Sequence, residues 1–181
     1  MDDIIQISKL NDFVYSSETL YLHQIYEGFD VSTHHDLPQT RGRLNHEKID
    51  KGQYSTSKHI LQGTTVYCEK YGLVGKIDIF DTQKSHLIER KTLVKKIYPG
   101  YKYQLWAQMF ALEENGYKIK KLFAHSLTDN RRYPIPKPTK DELLEFEKII
   151  TSIREYNPLE ILNKSEMSYT SQISIYKELG F

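Results

Sequence analysis

Three β-forming segments follow one another in the middle of the chain, and the connections between them are only a few residues long. The segments are Thr64–Lys70, Leu73–Asp81 and Ser85–Lys91. Gly72 and the polar stretch 81–84 supply the turns. Antiparallel strands can be joined by turns this short, whereas parallel strands need a crossover of about a dozen residues or more. The sequence therefore predicts an antiparallel meander.

Helical segments lie on both sides of this meander, and the order of the elements indicates the fold class. The predicted helices are Asn11–Ile25 (capped by Asn11 or Asp12), Arg43–Lys51, Tyr101–Asn115, and a segment from Thr139 or Asp141 to about Tyr156. The predicted further strands are Lys118–Leu127 and Arg132–Ile135. This order predicts an α/β (α+β) fold, a single domain over residues 1–181 in which helices flank a central mixed sheet.

Composition excludes two broad classes of protein. Hydrophobic residues make up 39% of the chain and charged residues 27%, which is typical of a globular domain and not of a disordered chain. No apolar run approaches the roughly 18 residues that a membrane helix needs, and the acidic start lacks the basic flank of a signal peptide. We therefore expect a cytoplasmic protein. Cys68 has no partner for an internal disulfide, and we expect a small, half-buried thiol on a strand.

Positive charge is concentrated in one part of a nearly neutral chain. The net charge is +1, but residues 84–121 contain nine Lys or Arg residues against three Glu residues. Such an excess is typical of a surface that faces phosphate groups. The alternative is a solvated lysine face without a partner.

The second and third strands of the meander carry two carboxylates and an amine. Asp78 lies in the second strand, and Glu89 and Lys91 lie in the third. Residues two apart in a strand point to the same face, so Glu89 and Lys91 project together. The short hairpin places the two strands side by side, which brings Asp78 towards Glu89.

Such a cluster suits the hydrolysis of a phosphodiester. Two carboxylates make an oxygen-lined site for a divalent cation, which can polarise a phosphate and generate hydroxide from water. The amine of Lys91 can orient that water, help to deprotonate it, or stabilise the charge of the transition state. The alternative for Asp78, Glu89 and Lys91 is a cross-strand salt bridge on a solvated face of the sheet.

Two further features lie upstream and downstream of this cluster. His46, in the helix predicted upstream, is a candidate metal ligand, because imidazole suits Mn²⁺ better than Mg²⁺. Gln104 and Gln108 are four residues apart and share one helix face, where an amide can fix a water or a phosphate. Taken singly, His46 is more often a surface residue and Gln104 an ordinary polar helix edge.

The order of these motifs resembles that of the RecB-like nucleases of the PD-(D/E)xK superfamily. The motifs are Gly42-x-x-x-His46, Gly75-Lys76-Ile77-Asp78, Glu89-Arg90-Lys91 and Gln104-x-x-x-Gln108. The chain is most similar to the CRISPR-associated RecB-like nuclease of the adaptation module, the fourth Cas family. Segments near both ends, Leu10–Tyr15, Leu20–His23 and Ile175–Leu179, also resemble that family.

The resemblance implies a restriction-endonuclease-like core and a metal-dependent DNA nuclease. Its ligands for Mn²⁺ or Mg²⁺ would be His46, Asp78, Glu89 and the backbone carbonyl of Arg90. Lys91 would be the catalytic lysine and Gln104 the motif glutamine. The implied activity is the trimming of single-stranded DNA overhangs of CRISPR spacer precursors, beside the CRISPR integrase. Our candidate DNA contacts are Lys76, Lys95, Lys96, Tyr103 and Gln108.

The chain departs from that family at the four cysteines that hold an iron–sulfur cluster. The corresponding positions are Ser16, Ser171, Ser174 and Gly180. Serine oxygen is a poor substitute for thiolate at iron, so we expect no cluster. Without it, we expect helix 11–25 and the tail 157–181 to pack together through aromatic side chains, namely Tyr15, Tyr21, Tyr169, Tyr176 and Phe181.

Two other functions fit the same residues. One is a DNA-end-recognition subunit that docks on the integrase and cuts weakly or not at all, because loss of the cluster would misplace the DNA groove. The other is an unrelated RecB-like or restriction-type nuclease that never used a cluster and shares only the site.

Overall fold

The computed structural model describes residues 4–17 and 55–157. The predicted helix Arg43–Lys51, with the candidate ligand His46, lies outside the described residues. So do Ser171, Ser174 and Gly180, and most of the aromatic residues expected to join the N-terminal helix to the tail.

The described residues form six strands and three helices. The strands are β1 (Ile5–Gln6), β2 (Ile60–Cys68), β3 (Leu73–Asp81), β4 (His86–Lys91), β5 (Lys121–Ser126) and β6 (Arg131–Ile135). The helices are α1 (Ile7–Tyr15), α2 (Pro99–Glu114) and α3 (Lys140–Arg154). None of these three helices combines the length and the apolar character that a membrane span requires.

The six strands form one mixed sheet, as predicted. β2, β3 and β4 pair antiparallel in sequence order, which confirms the meander. β5 then lies parallel to β4, and β6 returns antiparallel to β5. The parallel step is possible because α2 provides the crossover between β4 and β5. β2 begins at Ile60, earlier than the predicted Thr64, because residues 60–62 pair with the end of β3.

The edge of β3 that faces away from β2 is shared by two different strands. β1 pairs in parallel with its start, where Ile5 lies opposite Leu73 and Gln6 opposite Val74. β4 pairs only with its end, from Ile79 to Asp81. Between these two pairings, over residues 75–78, β1 and β4 diverge and the edge of β3 opens into a fork.

α2 is buried on nearly all sides, although the sequence predicted a single apolar flank. The predicted flank residues Leu105, Trp106, Met109 and Leu112 are all buried. Most of the residues between them are buried as well, because α2 lies between the sheet, α1 and the aromatic residue Phe146 of α3. The predicted end of the helix at Asn115-Gly116 is confirmed, and Gly116 takes a left-handed φ of 84°.

The N-terminal helix begins at Ile7 and not at Asn11, so the prediction that Asn11 or Asp12 caps it is wrong. It ends at Tyr15, short of the predicted Ile25, because Ser16 has an extended backbone. The residue at the N-cap position is Gln6, which makes no side-chain cap. The chain passes directly from β1 into the helix, and Ile7 packs onto β3 at Gly75, where a side chain would collide with it. Tertiary packing of Ile7 and Leu10, both buried, therefore sets the start of the helix.

α3 closes the other side of the core. Thr139, one of the two predicted caps, forms a capping box with Glu142. Phe146 lies at the centre of an aromatic group with Tyr71, Tyr103 and Trp106. Beyond the end of α3, the ring of Tyr156 contacts Phe13 of α1 edge-on at 6.0 Å, which ties the first and last described segments together.

We predict that Gly100→Ala destabilises the protein, measured as the free energy of unfolding in denaturant. Helix propensity alone would make alanine stabilising by up to about 1 kcal/mol. A methyl group at Gly100, however, would collide with the side chain of Asn11 and would lie 3.0 Å from the backbone of that residue. Overpacking of this kind costs about 1–3 kcal/mol and should prevail.

The matched control is Gly100→Ala combined with Asn11→Ala, which removes the nearest clashing atom and leaves the close approach to the backbone of α1. We expect Gly100→Ala to lower the free energy of unfolding less in the Asn11→Ala background than in the wild type. A Gly100→Ala variant as stable as the wild type would show that α1 does not pack closely on α2.

Candidate active site

A cleft of about 590 Å³ lies at the fork between β1 and β4. Its walls come from the start of α1, the middle of β3, the end of β4 and one face of α2. The described side chains that carry its polar groups are Gln6, Ser8, Asn11, Asp12, Thr65, Lys76, Asp78, Glu89, Lys91 and Gln104. Asp78, Glu89, Lys91 and Gln104, which the sequence singled out, thus meet in one cleft.

Asp78 lies where the pairing of β3 with β4 ends. Its side chain is nearly fully buried, and Oδ2 accepts the backbone N–H of Arg90 at 2.7 Å. This bond replaces the next rung of the ladder, because the backbone pairing stops at Ile79. The Asp78 carboxylate is therefore fixed against the peptide that joins Glu89 to Arg90.

Glu89 is 2% exposed, and both of its carboxylate oxygens accept hydrogen bonds. Oε1 accepts from Gln104 Nε2 at 2.7 Å and from Lys91 Nζ at 3.1 Å. Oε2 accepts from Gln108 Nε2 at 2.9 Å. A buried carboxylate needs such compensation, because an ion left without partners costs several kcal/mol. Two amides one helical turn apart thus hold the acid of the neighbouring strand.

Lys91 closes this network on the side of the cleft. Its Nζ donates to Gln104 Oε1 at 2.8 Å as well as to Glu89, and it lies 5.1 Å from the ring centroid of Tyr101. Burial alone would lower the pKa of Lys91. The Glu89 carboxylate, with smaller contributions from Tyr101 and Asp78, outweighs burial and raises the pKa above the usual lysine value.

These contacts differ from a salt bridge on a solvated sheet face. Asp78 and Glu89 are almost inaccessible, and their hydrogen bonds come from a neighbouring strand and from α2. An exposed ion pair would leave both partners in water and would contribute little. The cluster is a buried polar network beside a cleft, which makes it a candidate binding or catalytic site.

The described residues provide two of the proposed metal ligands as side chains. Asp78 and Glu89 line the same cleft, and the backbone N–H of Arg90 donates to Asp78. Within the two described ranges, no group of three or more His, Cys, Asp or Glu side chains could hold a metal ion. His46 lies outside those ranges.

Two of the five DNA contacts predicted from the sequence are wrong, because their side chains are buried. Tyr103 is buried against Trp106 and Phe146, so its ring belongs to the core and is not available for stacking on a base. Gln108 is fully buried, and its amide donates to Glu89 and to the carbonyl of Lys76 at 3.2 Å. Gln108 therefore positions Glu89.

The other three candidate DNA contacts are accessible. Lys76 is exposed and lines the cleft. Lys95 and Lys96 are exposed on the segment between β4 and α2. All three remain predictions as DNA contacts.

Sequence reasoning missed Tyr101, whose ring lies against the Lys91 ammonium. A signal was present, because Tyr101 is three residues before Gln104 and therefore shares its helix face. Asn11 and Asp12, interpreted as caps, line the opposite wall of the cleft. Their position depends on β1, a strand of two residues that is too short to be recognised from a sequence pattern.

Cys68 lies on a strand, as predicted, but it is fully buried, not half-buried. Its Sγ donates to Glu114 Oε1 at 3.3 Å, and burial raises the pKa of the thiol to about 12. A thiol with this pKa carries almost no thiolate at neutral pH, so it is not a reactive group. Of the four positions that correspond to cluster cysteines, Ser16 lies within the described residues, where it is the C-cap of α1.

Comparison with known proteins supports the fold and leaves the function open. No protein-family model matches the chain, and no curated protein matches it. A solved structure described as the crystal structure of SSO0001 is similar, with a TM-score of 0.55 and 16% sequence identity. The match covers 87% of this chain and 79% of that chain. At this identity the likeness concerns the fold alone.

We predict that Glu89 and Lys91 are energetically coupled. A double-mutant cycle of Glu89→Gln and Lys91→Met, measured by the free energy of unfolding without metal, should give a coupling energy of about 0.5–3 kcal/mol. Removing only one partner leaves a buried group without its compensation. The matched control is the exposed pair Lys137–Glu113, which is also in contact, at 2.9 Å.

The Lys137–Glu113 cycle should give less than about 1 kcal/mol. Equal coupling in the two cycles, or strict additivity at Glu89 and Lys91, would mean that the buried network does not contribute to stability as a unit.

Proposed function

We propose that this protein is a divalent-metal-dependent deoxyribonuclease whose active site is the cleft at the fork of the sheet. The observation that carries the proposal is the convergence of Asp78, Glu89 and Lys91 in that cleft. Two carboxylates can hold a metal ion that assists phosphodiester hydrolysis, and a lysine beside them can stabilise charge on the phosphate. Each is held by hydrogen bonds from a different element, as a preorganised site demands.

The donor atoms suit Mg²⁺ or Mn²⁺. Mg²⁺ is usually bound through one or two carboxylates and keeps several waters, so Asp78 and Glu89 meet its needs without a third acid. We propose the Arg90 carbonyl and His46 as further ligands, and an imidazole would favour Mn²⁺. When bound, the ion would supply positive charge that polarises a phosphate and activates water.

The residues of the chain itself would place and stabilise the substrate. The Lys91 ammonium is fixed by Glu89 and Gln104, so it can stabilise charge on the phosphate oxygens without first reorganising. Gln104 bonds both Glu89 and Lys91 and keeps their separation constant. Lys76, exposed at the mouth of the cleft, would bind a neighbouring phosphate.

The biological role that we propose follows from the ordered motifs. They resemble those of the RecB-like nuclease of the CRISPR adaptation module, and this resemblance implies a restriction-endonuclease-like core. We propose that the protein trims single-stranded overhangs of spacer precursors in the cytoplasm, beside the CRISPR integrase and without an iron–sulfur cluster. A purified protein with no absorption in the visible range would support the last point.

A DNA-end-recognition subunit with little or no activity is the second candidate. The observation in its favour is that both Glu89 oxygens already accept hydrogen bonds from protein groups. A metal ion would have to share or replace one of these bonds. DNA affinity that persists in Asp78→Asn, together with no cleavage under any divalent metal, would favour this candidate.

We predict that Asp78→Asn and Glu89→Gln each lower the cleavage rate by at least about 100-fold. The metal-dependent part of the barrier amounts to several kcal/mol, and about 1.4 kcal/mol is a factor of ten. Lys91→Ala should lose about 100- to 1,000-fold, as removal of a preorganised donor does. The assay is cleavage of an end-labelled DNA duplex with single-stranded overhangs, in Mn²⁺ or Mg²⁺ and in chelator.

Two matched variants control for charge and burial. Asp81→Asn changes a buried carboxylate of the same strand that bonds backbone groups of its turn and one exposed lysine. Lys118→Ala removes an exposed lysine. Both should cut DNA at the wild-type rate. Full activity in Asp78→Asn or Lys91→Ala, with contaminating nucleases excluded, would overturn the proposed site.

A further inference from the structure

Tyr98 lies on the surface immediately before α2 and is half-buried. Its ring contacts the ring of Tyr101 edge-on, with the centroids 5.6 Å apart. The exposed Lys96 places its Nζ 4.6 Å from the Tyr98 centroid. The ring is therefore held from one side by a buried neighbour and approached by a flexible cation.

These contacts form a short path from the cleft to the surface. The Lys91 ammonium lies over the ring of Tyr101, and this ring contacts the ring of Tyr98. The Lys96 ammonium lies over the ring of Tyr98. Tyr101 is buried and cannot meet a ligand of its own. Tyr98 is thus a partly exposed aromatic ring at the outer end of a continuous contact from the candidate catalytic lysine.

We propose that Tyr98 is a stacking platform for one unpaired base of a DNA strand whose phosphate lies in the cleft. The inference rests on the proposed function and names the residue that would contact a base of the single strand. A ring of this kind binds a base through its flat face, which a base inside a duplex does not offer. The platform would therefore favour overhangs over paired ends.

Lys96 has a second role in this arrangement. An exposed contact between an ammonium and a ring is weaker than the stacking of a base on an aromatic side chain. An incoming base would displace Lys96 from Tyr98 and free its ammonium for the adjoining phosphate. Base and phosphate would then be bound by residues two apart in the chain.

The test measures how strongly a single-stranded oligodeoxythymidine binds, in chelator so that it is not cut. Tyr98→Leu should weaken binding about tenfold, within the range for loss of one stacked base. Tyr98→Phe should bind like the wild type, because it keeps the ring. Tyr67→Leu, which changes an exposed tyrosine of β2 outside the cleft, should also bind like the wild type.

A set of oligonucleotides with one abasic site each shows whether a base and the ring interact. An abasic site at one position should weaken binding to the wild type about tenfold and should leave binding to Tyr98→Leu unchanged. The Mg²⁺-dependent cleavage of the same strands should show a raised KM with kcat little changed in Tyr98→Leu. Binding to a fully paired duplex should be equal in the two proteins.

The outcomes separate this inference from the proposed function. If the wild type cuts single strands and every abasic site affects Tyr98→Leu as it affects the wild type, the platform is wrong and the nuclease stands. If the wild type neither binds nor cuts DNA, both fail. Equal losses in Tyr98→Leu and Tyr98→Phe would also overturn stacking, because the phenylalanine ring is retained.

Discussion

The buried carboxylate of Glu89 is the interaction on which the rest of the site depends. A carboxylate at this depth is stable only with several donors, and Gln104, Gln108 and Lys91 supply them. Two of those donors lie one turn apart on α2, so the helix must keep its rotation and its distance from the sheet. Gln104 also accepts a hydrogen bond from Lys91, and Gln108 also donates to the Lys76 carbonyl in the open stretch of β3.

The fork in the sheet explains why this network lies beside a cleft. A continuous ladder between β3 and β4 would cover the edge of β3 with backbone bonds. Instead, β4 pairs with the end of β3, β1 pairs with its start, and the Asp78 carboxylate takes over the N–H of Arg90. Polar groups of β3, β4 and α2 line the space between the two pairings. The fold thus creates the site by leaving one edge incomplete.

Local sequence patterns predicted the elements whose boundaries depend on nearby residues. The boundaries of β3 were predicted correctly, because turns and alternating side chains mark them. Gln104 and Gln108 were assigned to one helix face, but Tyr103 and Gln108 were misassigned as DNA contacts. α2 is buried on nearly all sides, so periodicity could not show that Tyr103 points to the core while Tyr101 points to Lys91. The two-residue β1 and the start of α1 depend on long-range pairing that no local pattern reveals.

Mn²⁺ binding tests most directly whether Asp78 and Glu89 hold one divalent ion, as we propose. Titration of the full chain with Mn²⁺, followed by electron paramagnetic resonance, should show one ion bound per chain. The Glu89→Gln variant should lose that site while Asp81→Asn retains it. Mn²⁺ binding that is the same in Glu89→Gln as in the wild type, or that is absent from the folded wild type, would contradict the account.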